Sequence, residues 1–166
     1  MRWAVEEALN PTVLRIHLTR ELTTATIVTC PPATAPAPLD RLVAIDGVRS
    51  IDLHRYRVRL NLAPGADRET IAIRVTDPLR EAWGDPSELL PEELPRAFAV
   101  EHEGPRRVAE SLEMAAGDPF LTAAFGVDGV AEAIAAPHLV LVKLGVMFRW
   151  ADVEPAVGAA LDKAGS

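Results

Sequence analysis

Residues 39–60 read LDRLVAIDGVRSIDLHRYRVRL, and residues 120–142 read FLTAAFGVDGVAEAIAAPHLVLV. In both, an apolar stretch runs into a Gly-Val pair and two short alternating runs follow. In the first stretch Leu39, Leu42 and Val43 have helical spacing, and Asp46-Gly47 ends that helix, since glycine takes positive φ without a Cβ penalty. VRSIDLH and YRVRLNL then alternate as a strand pair turning at His54-Arg55. In the second stretch Asp118 can cap a helix with Pro119 at its first position, Gly129-Val130 follows, and VAEAIAA and HLVLVKL form the strand pair. A shift of 82 residues places Gly47-Val48 on Gly129-Val130, Val58 on Val140 and Leu60 on Val142, while Pro38 falls near Pro119 at a shift of 81. The pattern is an internal duplication.

The flanking segments extend the repeat. TVLRIHL (12–18) alternates as a half-buried strand, and the β-branched TATIVT (24–29) is expected to pair with it in a hairpin. PPATAPAP (31–38) breaks regular structure, because proline lacks the ladder donor. After the Pro64-Gly65 turn, ADRETIAIRV starts a helix, against which its β-branched residues and Pro78 count. Residues 84–95, GDPSELLPEELP, are rich in proline and acid and read as a connector. Beyond them RAFAVEHE (96–103) alternates as a strand, and RRVAESLEM (106–114) admits strand or helix. RWADVEPAVGAALDKA (149–164) is a helix with Trp150, Val153, Val157 and Leu161 on one stripe. The expected fold is α+β: two similar ββαββα units, each an antiparallel sheet covered by helices. They occupy residues 1–83 and 96–166, joined by the 84–95 connector.

Composition narrows the function classes. The chain has 166 residues, 49% of them apolar, enough for one ordinary domain or two small ones. A net charge of −7 argues against nucleic acid as the main partner, since that binding rests on Lys and Arg neutralising phosphates. The opening MRWAVEEALN has no long apolar region, and no apolar run reaches the roughly 18 residues that span a bilayer. The single cysteine cannot form an internal disulfide. A soluble, cytoplasmic protein is expected.

The order of motifs resembles the N-terminal domain of Nfu/NifU-type iron–sulfur scaffold proteins. The family's opening stretch has its counterpart in NPTVLRI (10–16), and its proline, short helix and Gly-Val pair in PLDRLVAIDGV (38–48) and, more loosely, DPFLTAAFGVDGV (118–130). WADVEPAV (150–157) matches the acidic-tryptophan helix that closes that domain. Scaffolds of this family hold their cluster in a separate domain through a Cys-x-x-Cys pair, and this chain has Cys30 alone. The resemblance therefore implies a non-catalytic accessory or protein-interaction module linked to iron–sulfur cluster assembly, with no cofactor of its own and a protein partner.

Individual candidates are weighed on their geometry. Cys30, before two prolines, reads as a structural cysteine. In Glu101-His102-Glu103 a strand would turn the imidazole away from both carboxylates, so no metal site is expected. Asp52 and His54 share a strand face without a placed nucleophile. Arg55, Arg57 and Arg59 fall on one face of the YRVRLNL strand and form a basic stripe, the one candidate interaction site. Residues 1–83 carry a net +1 and residues 84–166 a net −8, so the stripe can meet an acidic partner or the chain's own second half. Two rival functions remain at this stage: a small-molecule binding protein or enzyme using the cleft between the halves, and RNA binding by the stripe, which lacks the exposed aromatics that stack bases.

Overall fold

The computed structural model describes residues 1–166 and resolves two compact units, Met1–Leu22 with Thr26–Leu89, and Thr23–Ala25 with Leu90–Ser166. The first contains β1 (Trp3–Glu7), β2 (Val13–Leu18), α1 (Leu39–Val43), β3 (Val48–His54), β4 (Arg57–Leu62) and α2 (Arg68–Trp83). Its four strands form an antiparallel sheet in the order β1-β2-β4-β3. Leu14, Ile16 and Leu18 of β2 and Val58, Leu60 and Leu62 of β4 share the face that packs on Leu39, Leu42, Ile71, Val75 and Leu79. The second unit contains β5 (Arg96–Ala99), β6 (Arg107–Ala109), α3 (Leu112–Ala115), α4 (Pro119–Phe125), β7 (Val130–Ala136), β8 (Leu139–Leu144) and α5 (Trp150–Ala164). Its antiparallel sheet runs β5-β8-β7-β6 and packs against Leu121, Phe125, Val153, Val157 and Leu161. The fold is α+β, as the alternation of period-2 and helical segments predicts.

The 82-residue offset holds for the three strands the units share, β2/β5, β4/β8 and β3/β7; the fourth strand is β1 beside β2 in one and β6 beside β7 in the other. Leu14 pairs with Leu60 and Ile16 with Val58; 82 residues on, Arg96 pairs with Val142 and Phe98 with Val140. The register of β3 on β4 slips between Val48 and Ser50, and that of β7 on β8 between Val130 and Glu132. Ala63 N–H donates to Gly47 O at 2.8 Å, and Gly145 N–H to Gly129 O at 2.9 Å. Both glycines need positive φ, +92° at Gly47 and +99° at Gly129, which is why each strand pair begins with Gly-Val. Ile71, Val75 and Leu79 on α2 correspond to Val153, Val157 and Leu161 on α5, one buried stripe in each unit. Full burial of each such side chain contributes about 1.5–3 kcal/mol before the entropy of ordering it.

The helix ends follow local chemistry. Asp67 caps α2 by accepting from Thr70 N–H at 3.2 Å, and Asp118 caps α4 by accepting from Phe120 and Leu121 N–H. The N-cap residue of α5, Arg149, makes no side-chain cap; Glu93 of the connector instead accepts the Trp150 N–H at 2.6 Å, a carboxylate at a helix N-terminus. Pro78 does not end α2, which continues to Trp83 with Pro78 itself buried.

Three expectations about strands are corrected. TATIVT does not form a hairpin with TVLRIHL: only Ile27 bridges, to Leu53 on the outer edge of β3. The place beside β2 belongs to β1, whose Trp3 and Val5 point into the core opposite Leu18 and Ile16. RAFAVEHE is a strand only to Ala99, because Val100 N–H and His102 O both turn to the backbone of His138. Arg55 lies outside any strand: β3 ends at His54 and β4 begins at Arg57, so Arg55-Tyr56 is the two-residue turn.

Candidate functional site

The expected arginine stripe is dispersed. Arg55, in the turn, is buried at 5% exposure; its Nε donates to Glu21 at 2.9 Å and its guanidinium lies 5.1 Å from the Tyr56 ring centroid. Arg57 and Arg59 do face away from the core on β4. There Arg57 stands between His17 and His54, and Arg59 between Arg15 and Asp52. Like charges directly opposite are destabilising, and here acids are interleaved: Glu6 approaches Arg15 at 3.4 Å and His17 Nε2 at 2.5 Å. Burial holds the His17 pKa below its ordinary 6.5, with Glu6 working the other way. The Asp52 carboxylate accepts from Thr29 N–H at 2.8 Å and Asn61 Nδ2 at 3.2 Å.

The other singled-out residues are absorbed by structure. Cys30 is buried, with Sγ 3.8 Å from Thr34 Oγ1, and no three His, Cys, Asp or Glu side chains converge as a metal site. His102 turns inward, away from the exposed Glu101 and Glu103, and its Nε2 lies 3.0 Å from Asp118. Burial acts to raise the Asp118 pKa, but hydrogen bonds from Leu121 N–H, His102 and Phe120 N–H overcome it and hold the carboxyl below its ordinary 3.8.

The feature that sequence reading missed lies in the first unit, where the chain leaving β2, the start of α1 and the end of α2 meet. Arg20, Ala37, Pro38, Asp40, Arg41, Glu81, Ala82 and Trp83 line an open groove of about 470 Å³. Trp83, half-buried, is held edge-on by Trp3 at 6.1 Å between centroids, and Trp3 is itself fixed by its Nε1–H donating to Gly84 O at 3.0 Å. The Arg20 guanidinium sits 5.7 Å from the Trp83 centroid and has no carboxylate partner. Arg41 and Glu81, also in the lining, pair at 2.8 Å across α1 and α2. A second depression, lined by Glu7, Pro11, Ala66, Arg68 and Glu69, has less to offer a ligand, because Arg68 is occupied by Asn10 O at 3.1 Å and by Glu7.

The buried pairs Leu39/Leu121 and Leu42/Ala124 keep the 82-residue offset through α1 and α4, correcting the 81-residue shift expected at Pro38, so Arg20, Pro38 and Trp83 correspond to His102, Phe120 and Gly165. In the second unit the place of the groove is filled. Phe120 is buried and lies edge-on to His102 at 5.9 Å, and a methyl added to Gly165 would sit 3.6 Å from the Phe120 ring. The two copies thus share core and register and differ at this spot, closed by Phe120 in one and open over Trp83 in the other. Neither Arg20 nor Trp83 belongs to a periodic pattern; the signal lay in comparing loop positions at the offset that the Gly-Val pairs define. No protein-family model, curated protein or solved structure matches the chain.

Proposed function

We propose that the protein is a non-catalytic protein-interaction module, an accessory of the kind that its resemblance to Nfu/NifU N-terminal domains implies for iron–sulfur cluster assembly, and that the groove over Trp83 is where it meets its partner. The observation carrying this reading is the asymmetry between copies: one fold repeated, with a half-exposed indole and an unpaired arginine at the place that Phe120 fills in the other. Tryptophan and arginine are among the residue types enriched at the hot spots of protein interfaces. Arg57 and Arg59 are the second candidate contact, on the charged face of the first sheet.

The test is photo-crosslinking. A benzoylphenylalanine placed at Ala82, which lines the groove and is exposed, is irradiated in extract of the native cell. Expected is a discrete adduct that is absent with the same probe at Ile73, an exposed position outside the groove. Equal labelling from both positions, or none from Ala82, contradicts the reading.

A further inference from the structure

We propose that the groove of the first unit binds an extended, acidic, proline-containing segment of a partner protein, with a carboxylate on the Arg20 guanidinium and a proline ring against the Trp83 indole. This rests on the interaction reading above and names the chemistry of its partner. Arg20 is the one cation of the groove without a counterion, since Arg41 is engaged by Glu81 at 2.8 Å. Its guanidinium, held over the Trp83 ring, presents a planar fork whose donors suit a carboxylate bound bidentately. Asp40 and Glu81 also line the groove and repel an acid, which leaves Arg20 as the point where a carboxylate gains most.

The uncharged part of the lining is small or ring-shaped: Ala37, Pro38, Ala82 and Trp83. Such a surface takes a proline ring of a polyproline-type segment, which loses little entropy on binding because it is already extended. The indoles of Trp3 and Trp150 donate within the protein, to Gly84 O and Leu94 O; that of Trp83 makes no hydrogen bond, leaving a donor for a carbonyl of the incoming chain. About 470 Å³ suits a few residues of such a segment, within the range of ordinary ligand sites. The second unit cannot offer the same site, because Phe120 occupies it and Gly165 replaces the tryptophan.

The experiment uses the full chain and a fluorescein-labelled synthetic peptide alternating proline with glutamate, read by anisotropy, beside the same peptide with glutamine in place of glutamate. Arg20→Ala is expected to weaken glutamate-peptide binding by about tenfold or more, the loss of one charge-assisted pair. Exchange of glutamate for glutamine should weaken binding by the parent similarly, and the preference between peptides should vanish in the variant. Arg74→Ala, at an exposed arginine on α2 outside the groove, should bind as the parent does. Thermal melts confirm that both variants fold. Equal binding of the two peptides by the parent, no binding of either, or an equal loss in Arg74→Ala overturns the proposal. Displacement of the peptide by N-acetylglutamate amide at matched glutamate concentration overturns it too, because a free acid would then suffice. An Ala82 adduct together with any of these leaves the interaction reading standing and removes only its acidic-peptide form.

Discussion

Replacing Gly129 by alanine should destabilise the second unit more than the same change at Gly47 destabilises the first, although the two glycines occupy the same place in the repeat. Both have left-handed backbone, φ +99° and +92°, which costs an L-residue about 1–3 kcal/mol. Their surroundings differ. A Cβ at Gly129 would lie 2.8 Å from Cδ1 and 3.0 Å from Cγ of the Phe148 ring, atoms that move only with the whole ring. A Cβ at Gly47 would meet the terminal Cδ1 of Ile71 at 2.8 Å, which a small rotation relieves, and Ala66 Cβ at 3.3 Å. Overpacking against a ring adds about 1–3 kcal/mol, so Gly129→Ala is expected to cost about 2–6 kcal/mol and Gly47→Ala about 1–3 kcal/mol. Urea unfolding followed by indole NMR reads the units separately, with Trp150 reporting the second and Trp3 the first. Phe148 stands where the first unit has Ala66, so Phe148→Ala should relieve the clash, giving a coupling of about 1–3 kcal/mol in a double-mutant cycle. A Gly129→Ala chain within about 0.5 kcal/mol of the parent, or a larger loss at Gly47, would refute the reasoning, since either falls outside the cost of the left-handed backbone plus the ring contact.

Four further outcomes are expected. Asp118→Ala removes the α4 cap and leaves the buried His102 Nε2 without its partner, at a cost of about 2–4 kcal/mol by chemical denaturation; a cost below about 1 kcal/mol contradicts the arrangement. The Asp118 pKa is lowered on folding, so its contribution is complete above pH 3.8 and is lost as pH falls through the lower folded value; Asp118→Asn should flatten that acid limb. The His17 pKa is also lowered, so below pH 6.5 the unfolded chain takes up the proton first and stability declines as pH drops; His17→Gln should remove that slope, and an unchanged pH profile counts against it. Anaerobic reconstitution should yield no cluster that survives desalting, because one thiol cannot supply the usual four-cysteine ligation, whereas a stoichiometric cluster dependent on Cys30 would overturn the accessory reading.

The strongly periodic parts were legible. The stripe Trp150, Val153, Val157 and Leu161 is buried along α5 as its spacing predicts, and the Gly-Val pairs mark two equivalent bulged strand starts because only glycine takes that φ freely. TATIVT misled because β-branching reports fitness for a pleated surface without naming a neighbour; Trp3 and Val5 of β1 bury more apolar surface beside β2. The arginine stripe failed by one turn. Counting Arg55 with Arg57 and Arg59 assumed continuous alternation, whereas Arg55-Tyr56 reverses the chain and buries Arg55 against Glu21. The groove could not be read from any window, since Arg20, Pro38 and Trp83 are far apart in sequence and meet only through packing.

The groove's role rests most directly on the three tryptophan indoles, which separate in a ¹H–¹⁵N spectrum of the full chain. Trp3 and Trp150 donate to backbone carbonyls at 3.0 and 2.9 Å, so their N–H signals should exchange slowly with solvent, while that of Trp83 should exchange fast. When the protein partner captured at Ala82 is added, the Trp83 signal should shift and become protected while Trp150 stays in place. A partner that binds the chain and leaves the Trp83 indole unmoved and fast-exchanging would contradict it.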